Sequence, residues 1–115
     1  MSSSCIFCKI INNEIPSKRV YEDDTVIAIW DIAPQAPFHV LVMPREHFAT
    51  VDRIPNDKQS LFIALFAAVN AIVAQEHLGE QGYRLVINNG EQAGQSVPHL
   101  HIHILSGEKL SAKMG

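Results

Sequence analysis

"PHLHIHIL", Pro98 to Leu105, sets His99, His101 and His103 two residues apart, with Leu100, Ile102 and Ile104 in the alternate positions. Successive side chains of an extended chain point to opposite faces, so a period of two marks a strand. The stretch predicts a strand with three imidazoles in a row on one face and aliphatic side chains packed into a core on the other. It holds three of the chain's six histidines. A merely solvated face is built equally well from Thr, Lys or Glu, so the pattern points to chemistry.

"YRLVIN", Tyr83 to Asn88, is a second strand, joined to the first by the turn-rich loop "NGEQAGQSV". Upstream, "KRVYED" and "TVIAIWD" are rich in β-branched and aromatic residues, and "EDDT" between them makes a hairpin turn. After the rigid loop "APQAP", "FHVLVMP" is apolar on both faces, as in the middle of a covered sheet. "FCKIINNEIP" reads as a short helix stopping before Pro16. A long helix runs from an N-cap at Asn56 or Asp57 to Gly79; about 22 residues would span about 33 Å. Its apolar positions (Leu61, Phe62, Ile63, Leu65, Phe66, Val69, Ile72, Val73) wrap most of the way round. One sheet cannot cover them all, and a homodimer is expected. The fold class is α+β: one domain over 1–115, a mainly antiparallel sheet of about five strands, and helices on one face.

At 115 residues and net charge −3, with no basic run, the chain offers no electrostatic footing for nucleic acid or an anionic membrane. The run Leu61 to Val69 is broken by Asn70, short of a membrane span. "MSSSCIFCKI" does not resemble a secretory signal, so a cytoplasmic location is expected. In that reducing compartment Cys5 and Cys8 are metal ligands or free thiols before they are a disulfide.

Three histidines about 6.6 Å apart along one strand do not easily all reach a zinc ion at about 2.0–2.1 Å, and two of them with a ligand from elsewhere make the more workable site. A neutral imidazole is also a nucleophile at pH 7, and neighbouring imidazoles can move its protons. Gly90, Gly94, Gln95 and Ser96 stand directly before the histidines, where backbone N–H groups and a hydroxyl can face an anion. Alone that loop is an ordinary hairpin connection. Beside three histidines it favours a histidine nucleophile next to a phosphate cradle.

"HLHIHIL" fits the His-φ-His-φ-His-φ-φ signature (φ apolar) of the histidine triad superfamily of nucleotide hydrolases and transferases. "CIFCKI", "EIP", "YEDD", "DIAPQAPFHVLVMPREH" and "NNGEQAGQS" follow that family's order over nearly the whole chain. The sequence most resembles the nucleotide-binding branch, the purine nucleoside phosphoramidases, whose homodimers join two sheets across the interface. The resemblance implies that His101 attacks the α-phosphorus of a purine nucleoside 5′-phosphoramidate, forming a nucleotidyl-histidine that water resolves. His103 and His39 would belong to the imidazole network that orients His101 and moves protons. Asp31 and Ile32 would bind the nucleoside, and Asn88, Gly94, Gln95 and Ser96 the phosphate.

A single C-x-x-C is half a zinc site. Family members of bacterial type carry a Cys2His2 zinc on the side of the sheet away from the nucleotide. The resemblance therefore implies a structural zinc on Cys5, Cys8, His47 and His99, with no organic cofactor; two reduced thiols are the alternative. His77 reads as a helix-end residue favoured by the dipole. The tail "SGEKLSAKMG" lacks the aromatic and proline residues that close the phosphoramidases. Dinucleoside polyphosphate hydrolysis, and nucleotide or protein binding without turnover, stand as alternatives.

Overall fold

"FHVLVMP" takes the centre of the sheet because it is almost wholly apolar. In the computed structural model, which describes residues 5–113, the strands are β1 (Arg19–Glu22), β2 (Val26–Trp30), β3 (Phe38–Pro44), β4 (Arg84–Ile87) and β5 (Ile102–Ser106). They form one antiparallel sheet in the order β1-β2-β3-β5-β4, and all seven residues of β3 are buried. The α+β class and the five antiparallel strands are as the sequence predicts. Residues 1–4, part of the stretch read for an export signal, and 114–115, the end of the divergent tail, lie outside the described residues.

The helices α1 (Ile6–Ile11) and α2 (Ser60–Gln75) cover opposite faces, where the sequence reading put both on one. On one face Leu61, Leu65, Ala68, Val69 and Ile72 of α2 pack on Val40, Val42, Ile102 and Ile104. On the other, Phe7, Cys8 and Ile10 of α1 pack on Ile27, Ile29, Leu41 and Met43. The alternation of β3 decides this, since each second residue is apolar in both registers. α1 covers only part of its face. The remainder carries His39 and His103, because Leu41 pairs with His103 and His39 with Leu105.

α2 is 16 residues long, shorter than expected. Asn56 and Asp57 do not cap it; they lie in a 3-10 turn, Asn56–Lys58, with the Lys58 N–H bonded to the Pro55 carbonyl at 2.9 Å. The far end stops before Gly79 because Leu78, 2% exposed, turns back into the core. The Leu78 N–H bonds the Val73 carbonyl (3.0 Å) and the His77 N–H that of Ala74 (3.3 Å), with His77 left-handed at φ 56. That is a Schellman ending, made here without glycine. The stretch Asn56–Gln75 is long and apolar enough to cross a bilayer by length and composition alone, although its inner face roofs the core. On its outer face Ile63 (74%) and Phe66 (44%) are exposed.

β5 is also shorter than the sequence pattern. It begins at Ile102, because the His99 N–H bonds Val97 (2.8 Å) and the Leu100 N–H bonds Phe48 (2.7 Å) instead of a neighbouring strand. The bend turns His99 out of the row that His101 and His103 keep.

Candidate active site and metal-binding group

The three histidines divide between two jobs, and main-chain groups set the division. Nδ1 of His101 lies 2.7 Å from the His99 carbonyl oxygen, which only accepts, so Nδ1 carries the proton and donates. Nε2 of His101 is then a free lone pair. Phe7 of α1 meets the ring edge-on, centroids 5.0 Å apart, and fixes its plane. A backbone carbonyl, not another imidazole, orients this ring.

His39 and His103 form a second unit. The Gln35 N–H donates to Nδ1 of His39 at 3.0 Å, so the His39 proton sits on Nε2. That Nε2–H meets Nδ1 of His103 at 2.9 Å, with Asp31 Oδ2 at 3.5 Å. His103 accordingly carries its own proton on Nε2, and its ring stands 4.9 Å from that of His101. Asp31, His39 and His103 are close enough to hold a metal ion. A metal on Nε2 of His39 would, however, require an imidazolate there, since the Gln35 amide already occupies Nδ1. The arrangement suits a shared proton.

Burial pushes every ring here toward its neutral form. It lowers His101 and His39 below the ordinary 6.5, against the His99 carbonyl at the first and the Asp31 charge at the second. It takes His103 down to about 4, helped by the neighbouring imidazoles His101 and His39. The neutral form is the nucleophilic one, and it persists until pH falls to the lowered pKa. The acid limb of kcat/KM, where His101 loses its neutral form, is expected below pH 6.5. A pH–rate profile with its acid limb at or above 6.5 would contradict this.

Beside His101 opens a cavity of about 260 Å3 whose walls include Phe7, Ile10, Ile15, Ile29 and Trp30. Asp31, Ile32, Ser96 and His103 also line it, and Ile32 is 98% exposed at the rim. The Ala33 N–H holds Asp31 Oδ1 at 2.8 Å and so aims the carboxylate. In the loop, Gly90 and Gly94 take φ of 91 and 88, which lets it double back. Gln95 braces it: its amide donates to the Ala49 carbonyl and accepts from the Gly90 N–H, both at 2.7 Å. The Gln95 and Gly94 N–H groups bond inside the loop, to Gly90 and Glu91. Ser96 is exposed toward the cavity, while Asn88 donates to the Ala93 carbonyl (2.8 Å) and lines a second cavity beyond His103.

His99 serves elsewhere. Its Nε2–H donates to the Pro44 carbonyl at 2.9 Å, leaving the Nδ1 lone pair facing Cys5 Sγ (3.5 Å), Cys8 Sγ (3.6 Å) and His47 Nδ1 (3.1 Å). Cys8 Sγ and His47 Nδ1 are 3.3 Å apart. The edges of a tetrahedron of sulfur and nitrogen ligands around zinc are roughly 3.4–3.8 Å, so this spacing fits. Cys5 caps α1 by accepting the Cys8 N–H at 3.3 Å, which sets both sulfurs on one side of the first turn. The Pro44 carbonyl supplies the outer hydrogen bond a ligating histidine needs. The donor set thus fits a structural zinc: Cys5, Cys8, His47 and His99 would hold it, and it would tie α1 to the His99 bend. The group lies on the same sheet face as His101 and His103. That corrects the expectation of the opposite side, because α1 packs beside His101.

The sequence reading missed the three main-chain groups that fix these tautomers, at Gln35, Pro44 and His99. "APQAP" signalled a rigid loop, but no side chain betrays where an amide will point.

Residues 12–110 match the HIT domain family, and the chain belongs to it. An uncharacterised HIT-like protein of Synechococcus elongatus is 50% identical over 111 residues, 96% of each chain. The purine nucleoside phosphoramidase of Escherichia coli is 41% identical over 110 residues, 96% of this chain and 92% of that protein. Among solved structures, a histidine triad protein from Clostridium difficile superposes with TM-score 0.93 at 41% identity, and a HIT family hydrolase from Clostridium thermocellum with 0.93 at 45%. Each comparison covers 99% of both chains.

Proposed function

We propose that the protein hydrolyses purine nucleoside 5′-phosphoramidates to nucleoside monophosphate through a nucleotidyl intermediate on His101. The supporting observation is the free Nε2 of His101, fixed by its Nδ1–H bond to the His99 carbonyl beside a nucleoside-sized apolar cavity. The relation to the Escherichia coli phosphoramidase supplies the substrate class.

The base enters the apolar cavity and the ribose hydroxyls meet Asp31. Nε2 of His101 forms a bond to the α-phosphorus as the P–N bond breaks, its electron pair leaving on the amine nitrogen. That nitrogen takes one proton from Nε2 of His103. The His39–His103 pair takes up this proton once the phosphate has bound: Nδ1 of His39 gives up the Gln35 N–H to carry it, and the phosphate and Asp31 charges together oppose the burial that keeps the rings neutral. Water then attacks phosphorus, returns a proton to the pair, and frees His101.

Dinucleoside polyphosphate hydrolysis is the second reading. The cation Arg84 lines the cavity on the far side of His103, where a phosphate-bearing leaving group would lie. Release of AMP from adenosine 5′-phosphoramidate, measured beside release from diadenosine tetraphosphate, tests the choice. Turnover of the tetraphosphate alone would sink the phosphoramidase reading.

Zinc on Cys5, Cys8, His47 and His99 completes the protein, and two such chains pair through the outer face of α2. Ile63→Asp with Phe66→Asp is expected to convert that dimer to a monomer in sedimentation, since both exposed side chains would face the partner. An unchanged sedimentation coefficient contradicts that interface. Reduced thiols at Cys5 and Cys8 fit a cytoplasmic protein.

A further inference from the structure

The β4·β5 register pairs Val86 with His103 and Arg84 with Leu105, so Arg84 shares the face of His103 and His39. These residues border a second cavity, of about 210 Å3, together with Gln35, Asn88 and Leu110. The tail reaches it through a turn at Gly107, φ 103, where a Cβ would lie 2.8 Å from that of Pro37. No other residue makes this turn without strain, and past it the Ser111 carbonyl accepts from Nη2 of Arg84 at 2.5 Å.

That bond uses one of the five N–H donors of a guanidinium. Among the described residues Arg84 forms no ion pair; the ion pairs found are Arg19 and Arg45 with Glu22 and Lys58 with Glu46. Glu108 borders an adjoining groove with Arg84 but lies beyond ion-pair distance. A guanidinium held by a backbone carbonyl in a concavity, with no carboxylate at ion-pair distance among the described residues, is suited to receive an anion.

Its position says which anion. His103 lines both cavities: the nucleoside cavity with His101, Asp31 and Ser96, and this one with Arg84. Attack at phosphorus is roughly in line, so the departing atom leaves on the side away from His101. A departing atom that leaves beside His103 would have the second cavity behind it, since His103 lines both.

We infer that this cavity is the leaving-group site and that Arg84 selects leaving groups carrying an anion, a carboxylate or a phosphate, beyond the scissile bond. The inference rests on the hydrolase reading above and adds to it a preference that the tail sequence left open. Leaving groups bearing an ammonium meet the guanidinium and are disfavoured.

The test uses the full chain and four substrates: adenosine 5′-phosphoramidate, its N-(2-carboxyethyl) and N-(2-aminoethyl) derivatives, and diadenosine tetraphosphate. Wild type is expected to give a higher kcat/KM for the carboxyethyl than for the aminoethyl compound. In Arg84→Gln, which keeps a donor for Ser111, that ratio should fall about tenfold to a hundredfold, the worth of a charged hydrogen bond. Arg84→Lys should retain most of it and serves as the folding control. The tetraphosphate arm tells phosphate from carboxylate: a fall confined to it in Arg84→Gln assigns the site to phosphate leaving groups. A ratio unchanged by both variants, with the unsubstituted phosphoramidate still cleaved, overturns the inference alone. No AMP from any substrate overturns the hydrolase reading and this inference with it.

Discussion

His101→Ala is expected to lower kcat/KM for adenosine 5′-phosphoramidate by at least about 10^4-fold, the scale on which enzymes lose a covalent nucleophile. The site offers no substitute. His103 has its Nδ1 taken by His39 and a proton on Nε2, so neither nitrogen presents a lone pair to phosphorus. His99 donates through Nε2 to Pro44 and turns Nδ1 toward the cysteines. The apolar cavity and Asp31 remain, so AMP should still bind the variant with near wild-type affinity. Single-turnover AMP release and equilibrium AMP binding separate the two effects. A loss of less than about tenfold would mean that water attacks phosphorus directly, with the histidines as acid and base.

With zinc held as proposed, its removal is expected to cost stability and rate together. A metal held at about a thousand times its Kd stabilises the folded chain by about 4 kcal/mol. For a domain of this size that corresponds to a fall in Tm of about 15–25 °C on chelation. His99 is why the rate should follow, since its side chain belongs to the Cys5–Cys8–His47 group while its carbonyl orients His101. Freeing the His99 ring releases the bend that presents that carbonyl. Cys8→Ser should reproduce the chelated state and become indifferent to chelator. Thermal unfolding with and without chelator, then with zinc restored, reads the first effect; AMP release below the new Tm reads the second. A Cys8→Ser protein with wild-type Tm and rate would identify the group as two thiols and two hydrogen-bonded imidazoles.

The sheet was legible because its strands carry their own burial pattern. β3 is apolar in both registers and is buried along its length, and the alternation in "HIHIL" put His101 and His103 opposite Ile102 and Ile104. The helix ends were not legible, since each depends on a distant contact. Leu78 stops α2 by returning to the core, and Pro55 starts a 3-10 turn where Asn56 and Asp57 promise an α-helical cap. Composition gave no hint that α1 crosses to the histidine face, because that follows from which apolar patch of β2 and β3 lies open. In the site, residue types carried the chemistry into view: imidazoles, a carboxylate, and a C-x-x-C with two histidines. The tautomers came only from three-dimensional neighbours. A carbonyl at His99 or Pro44, or an amide at Gln35, has no sequence signature, yet each fixes where a proton sits.

The most direct measurement is the mass of the protein during turnover. Enzyme mixed with excess adenosine 5′-phosphoramidate and quenched in alkaline denaturant, which spares the acid-labile P–N bond, should gain one adenylyl group. Peptide mapping should place that group on His101, and His101→Ala should show no gain. AMP formed at full rate with no labelled protein would contradict a covalent route through His101. AMP bound without either product or label would make the protein a nucleotide binder.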